Sequence, residues 1–100
     1  MVFMRAAKVD ANQPEIVKAL RKLGWYVLII SQLKNCCDLM ISKNGRTIAI
    51  EIKDGSKPKS TQKLSEGEKK FMSEWQGEYK IIASLDDLGG LSAKESDKAE

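Results

Sequence analysis

Ile16, Val17, Leu20 and Leu23 fall at i, i+1, i+4 and i+7, one apolar stripe that predicts an amphipathic helix over residues 13–23. Asn12 or Gln13 can cap it, Pro14 suits its first turn, and Gly24 stops it. The run 25–31 is rich in β-branched and aromatic residues and reads as a buried strand. A polar connection over 32–37 leads to a strand at 38–42. Asn44-Gly45 is a strong hairpin signal, and 46–53 is the returning strand. Residues 54–63 form a Gly/Ser/Pro/Lys loop without a period. Ser65 and Glu68 have capping-box spacing and open a second helix to about residue 76, with Phe71, Met72 and Trp75 on its apolar side. Gly77 ends that helix, 79–84 is another strand, and 86–91 is a short helical turn. The order αβββαβ predicts an α/β fold, a mixed central sheet flanked by helices. Residues 1–91 make one domain, and 92–100 are a polar tail expected to fray.

A chain of 100 residues, 42% hydrophobic and 31% charged, has the composition of a single globular domain. The apolar run 25–30 is too short to span a bilayer, and residues 1–4 are too short for a signal peptide. No membrane association and a cytoplasmic location are therefore expected. Histidine is absent. That removes Ser-His-Asp and Cys-His catalysis, His-ligated zinc and imidazole proton shuttles. Two adjacent cysteines, Cys36 and Cys37, make neither a disulfide framework nor a four-thiolate site, and read as small buried residues. The chemistry left is that of carboxylates and lysines. The net charge of +3 hides an asymmetry: residues 1–60 carry 11 Lys/Arg against 5 Asp/Glu, and residues 61–100 carry 6 against 9. The basic excess gathers around Lys43, Arg46, Lys53, Lys57 and Lys59. It favours a polyanion, although a solvated surface fits such a modest charge as well.

If Asn44-Gly45 is the loop of a type I′ turn, Lys43 pairs with Arg46, Ile41 faces Ile48 and Leu39 faces Ile50, with Cys37 opposite Ile52. That face is apolar throughout, as a core face requires. The other face then carries Asp38 opposite Glu51, with Lys53 two residues further along. Carboxylates whose Cβ atoms lie about 5 Å apart repel unless a cation sits between them. Lys53 offsets part of the repulsion. A divalent ion would offset more, and oxygen ligands suit Mg²⁺, Mn²⁺ or Ca²⁺. A plain surface charge cluster is the alternative. The E-x-K triplet occurs three times, at Glu51/Lys53, Glu68/Lys70 and Glu78/Lys80, and only the first has an aspartate placed opposite it.

An aspartate on one strand and E-x-K on the next resembles the signature of the PD-(D/E)xK nuclease superfamily. The ordered segments Asp10-Ala-Asn-Gln-Pro-Glu15, Cys36-Cys37-Asp38-Leu39-Met40, Ala49-Ile-Glu51-Ile-Lys53-Asp-Gly and Lys63-Leu-Ser-Glu-Gly-Glu68 resemble a stand-alone VRR-NUC domain of phage or prophage type, from about Arg5 to Leu91. The resemblance implies a restriction-endonuclease-like fold with Mg²⁺ or Mn²⁺ as cofactor. It implies that Glu15, Asp38 and Glu51 gather around the ion, with the Ile52 carbonyl as a further ligand. Lys53 would orient or activate the attacking water. Two positions depart from the pattern: Cys37 stands where the family has proline, and Glu68 where it has glutamine. Glu68 is thus either an added acid at the site or simply the capping residue.

The function implied is metal-dependent hydrolysis of DNA phosphodiesters to 5′-phosphate and 3′-hydroxyl ends. The small stand-alone members resemble Holliday-junction resolvases, which act as homodimers, so cutting of four-way junctions or other branched DNA by a homodimer is expected. Lys34, Lys43, Lys57, Lys59 and Lys63 are candidate phosphate contacts, which position DNA without reading its sequence. Competing expectations are a flap or nicking endonuclease, and a non-catalytic nucleic-acid-binding module that kept the fold. A third is an interaction protein using Trp25, Tyr26, Phe71 and Trp75, disfavoured by their core-facing pattern.

Overall fold

The computed structural model describes residues 10–58 and 63–91; Lys59 and the tail 92–100 lie outside the described residues. Helix α1 (Gln13–Lys22) has Pro14 in its first turn, Glu15 near its start and Arg21 and Lys22 in its last turn, each charge matching the helix dipole. It ends in a Schellman motif. Gly24 adopts φ +97°, its amide donates to the Arg21 carbonyl, and the Trp25 amide donates to the Leu20 carbonyl. Ile16, Val17 and Leu20 are buried as the stripe predicts, but Leu23 is 46% exposed. It is the C-cap residue, past the last turn that packs.

Four strands follow: β1 (Tyr26–Ile29), β2 (Leu39–Lys43), β3 (Arg46–Ile52) and β4 (Glu78–Ile82). They form one sheet in the order β1-β2-β3-β4, antiparallel except for the parallel β3–β4 pair. The sheet is mixed, as expected. The hairpin register is also the expected one, from Lys43↔Arg46 through Ile41↔Ile48 to Leu39↔Ile50. Asn44 and Gly45 adopt φ +52° and +80°, the two left-handed residues a type I′ turn needs. Leu39, Ile41, Ile48, Ile50 and Ile52 line the face that α1 covers, and Ile82, Leu88 and Leu91 complete that core. Side chains of this kind contribute about 1.5–3 kcal/mol each when fully buried.

β1 corrects the expectation of a buried strand. It is a four-residue edge strand in which only Val27 is buried, while Tyr26, Leu28 and Ile29 are exposed. An apolar run does not distinguish a strand covered on both faces from one covered on a single face. Helix α2 (Glu66–Glu74) lies on the opposite side of the sheet from α1, where Phe71 packs on Trp75 and Tyr79 with ring centroids 5.5 and 6.1 Å apart. It buries no residue completely, and Met72 is exposed. A 3-10 turn over Leu85–Leu88 follows β4. No described helix is long and apolar enough to cross a membrane.

Candidate metal centre

The last two residues of β3 and the residue preceding β2 build the site. Asp38 lies one step beyond the final ladder pair. Its amide donates to the Ile50 carbonyl at 2.9 Å, and its Oδ2 accepts from the Ile52 amide at 2.8 Å. The carboxylate thus takes the place of a backbone carbonyl in the ladder, which fixes the side chain alongside β3. Glu51 points to the same side as Ala49 and is almost fully buried, at 2% exposure. Its Oε2 is 3.6 Å from the Lys53 ammonium, and its Oε1 is buried with no hydrogen-bond partner. Glu68 arrives from the first turn of α2. Its Oε1 accepts from the Ser65 amide at 2.9 Å and from Lys53 Nζ at 3.1 Å, while its own amide donates to Ser65 Oγ. Glu68 therefore serves both readings left open by the sequence, closing the capping box and pairing with the site lysine.

The electrostatics leave this corner short of positive charge. Burial, then the nearby Asp38 and Glu68 carboxylates, push Glu51 up to about 9 against the pull of Lys53. Burial also raises Asp38, only partly offset by the Ile52 amide and Glu51, with Asp10 and Glu68 adding to the rise. Burial would lower Lys53, but its contacts with Glu68 and Glu51 outweigh that and hold its proton more tightly. Burial would raise Glu68, but the Ser65 amide, Glu51 and Lys53 together leave it below its usual value. Three carboxylates face one ammonium, and the raised Glu51 carboxyl relieves part of that excess of negative charge. A divalent ion has the charge to replace the carboxyl proton and accept the orphaned Oε1. Among the described residues no three Cys, Asp or Glu side chains form a ready-made cage. Mg²⁺ and Mn²⁺ do not require one, because such ions often take one or two carboxylates and keep several waters. Asp38 and Glu51, which open onto one cleft, supply two carboxylates of that kind.

A cleft of about 210 Å³ opens onto Asp38, Glu51, Ser65 and Glu68, walled by the loop from Ser31 through Lys34 to Cys37. The structure thus brings together Asp38, Glu51, Ile52, Lys53 and Glu68, with Lys34 on the cleft wall. Glu15 is not brought to them; it is exposed and lines a separate groove with Asn12, Asp54 and Asp87. Lys43 lies at the hairpin-turn end of the sheet, where its ammonium donates to the Leu23 carbonyl at 2.8 Å and sits 5.7 Å from the Trp25 ring centroid. Arg46 is buried there as well, held by Glu78 at 2.9 Å and by the Leu91 carbonyl at 3.0 Å. Lys57 and Lys63 are exposed on the loop between β3 and α2. Cys37 is buried, and burial, Cys36 and the Glu51 charge push its thiol up to about 12, so it stays protonated.

Three further residues around the site carry little signal in the sequence. Asp10 acts on the charge of both Asp38 and Lys53. Tyr79 has a buried hydroxyl without a partner, and burial followed by the Glu51 and Glu68 charges raises its pKa. Gln13 is buried with its Oε1 unpartnered. No periodicity marks any of the three. Only Asp10, as an acid just ahead of a helix, carried any signal. Comparison with known proteins finds no matching family model and no significantly similar curated protein or solved structure.

Proposed function

We propose that this chain is a divalent-metal-dependent endodeoxyribonuclease that hydrolyses phosphodiesters of branched DNA. The observation that supports it most is the corner of Asp38, Glu51 and Lys53, where a buried carboxylate oxygen lacks a partner and negative charge exceeds positive. Nothing in a purely structural salt bridge calls for a second buried acid beside the first. Asp38 and Glu51 would hold Mg²⁺ or Mn²⁺, which would supply polarisation of the phosphate and a water of lowered pKa. Asp38, fixed by the Ile52 amide, holds the ligand geometry. Glu51 would serve as a ligand in its deprotonated form, its proton passing to solvent. Lys53, kept charged by Glu51 and Glu68, donates a hydrogen bond that orients the attacking water and then stabilises charge on the phosphoryl oxygens. Lys34 on the cleft wall, with the exposed Lys57 and Lys63 between β3 and α2, are the proposed contacts to the DNA backbone. Cutting two symmetric strands of a four-way junction calls for two sites, so the working species is proposed to be a homodimer.

The test is cleavage of four-way junction, flap and linear duplex DNA with and without Mn²⁺. Mn²⁺-dependent cutting that favours the junction, and that Asp38→Ala abolishes, supports the proposal. Metal-independent binding without any cutting would replace it with a non-catalytic nucleic-acid-binding module.

A further inference from the structure

The first turn of α1 crosses the end of β3. Asn12 Nδ2 donates to the Lys53 carbonyl and to the Ala83 carbonyl, each at 3.1 Å, which ties the start of the helix to the strand end that carries the site. Asn12 is therefore a cross-link between elements and makes no side-chain cap. Gln13 follows it on the buried side, with 6% exposure. Its Nε2 lies 3.4 Å from Ser31 Oγ, and Ser31 is itself a buried wall residue of the cleft that opens onto Asp38 and Glu51. The other end of the same amide, Oε1, is fully buried and has no partner. A buried amide oxygen without a hydrogen bond costs about 1–3 kcal/mol. Leucine or methionine would fill the same volume without that cost. A glutamine kept there needs a donor for Oε1, and its amide is held on Ser31, a wall residue of the cleft that opens onto the acidic corner.

We infer that Gln13 is a positioning residue of the metal centre, its Oε1 accepting a hydrogen bond from the hydration shell of the ion held by Asp38 and Glu51. Helix α1 thus serves the site through Gln13, one turn-face away from Glu15, which the structure directs to a different groove. The inference rests on the proposed metal site. It adds that Gln13 sets ion affinity through an outer contact, with Ser31 holding the amide in orientation. Outer contacts of this kind are worth about 10–100-fold in metal affinity.

The experiment is a Mn²⁺ titration followed by calorimetry and by melting temperature, on wild type, Asp38→Ala, Gln13→Leu and Gln13→Glu. Gln13→Leu is expected to weaken Mn²⁺ binding by about tenfold or more. Its metal-free melting temperature should be equal to or above wild type, because an unsatisfied acceptor has been removed. Gln13→Glu keeps an acceptor and should bind Mn²⁺ at least as tightly as wild type, with affinity rising with pH. Wild-type affinity in Gln13→Leu, with binding lost in Asp38→Ala, would overturn the inference and leave the metal site standing. Absence of Mn²⁺ binding by wild type would overturn both. If Gln13→Leu fails to fold, Gln13→Met, which also removes the acceptor, decides: wild-type Mn²⁺ affinity in it would show that Gln13 only packs.

Discussion

Glu51 is a glutamate placed where only a partnered charge is cheap. Its elevated pKa has a consequence for stability whose sign is fixed by linkage. Between about 4.5 and about 9 the folded chain keeps a proton on Glu51 that the unfolded chain has released. Stability is therefore fully present below 4.5 and is lost progressively as pH rises towards 9. Asp38, also raised, works in the same direction, whereas Glu68, lowered, acts only on the acid side of its usual value. Melting temperatures of the metal-free protein should fall from pH 5 to pH 9, and Glu51→Gln should flatten that slope. If Mn²⁺ binds Glu51 as proposed, it competes with the same proton, so the melting shift it produces should grow as pH rises. A metal shift that shrinks with pH would place the ion elsewhere. Asp38 and Glu51 were legible from the sequence because a local turn signal set their register. Gln13, Asp10 and Tyr79 were not, because each meets the site across a long stretch of chain that no spacing rule encodes.

The elements that local chemistry specifies came out as expected. The Asn44-Gly45 turn carries its register with it, and the Ser65/Glu68 capping box depends on contacts within one helical turn. What the sequence did not convey is which elements cover which. β1 reads as buried by composition and is an open edge, and the residues of α2 read as core and are at best half-buried. The contact between Lys53 and Glu68 joins β3 to α2 and is invisible to either element alone. Close approach also explains Gly55 after E-x-K-D. Its amide donates to the Ala83 carbonyl at 3.0 Å, and a Cβ there would lie 2.7 Å from that same oxygen. Gly55→Ala must push the strand end that carries Lys53 away from the Ala83 segment. It should cost about 1–3 kcal/mol, typical of forced overpacking. Chemical denaturation gives the measure: a midpoint unchanged from wild type would mean that the two segments part without penalty.

At the scale of the molecule, the positive charge is unevenly employed. Lys43 and Arg46 serve the turn end of the sheet through Leu23, Trp25, Glu78 and Leu91, so the basic stretch around residues 43–59 is not one continuous field. Lys34 borders the cleft that opens onto Asp38 and Glu51, and the exposed Lys63 leads into α2; both are proposed phosphate contacts. Replacing Lys34 and Lys63 together by alanine should weaken binding to every DNA structure. It should also reduce the slope of log affinity against log salt by about two, one counterion for each lost phosphate contact. A slope equal to that of wild type would move the DNA path off this face.

Lys53 separates chemistry from binding more cleanly than any other residue. It sits 3.6 Å from Glu51 and 3.1 Å from Glu68, inside the acidic corner and mostly shielded from solvent. Under the proposed function, its contribution to phosphate electrostatics is small and its contribution to water orientation is central. The decisive measurement is the rate of Mn²⁺-dependent cutting of a four-way junction by Lys53→Ala, alongside its junction affinity and a check that it is folded. The account predicts that cutting is abolished while binding stays within a few fold of wild type. A folded Lys53→Ala that cuts at the wild-type rate would contradict it.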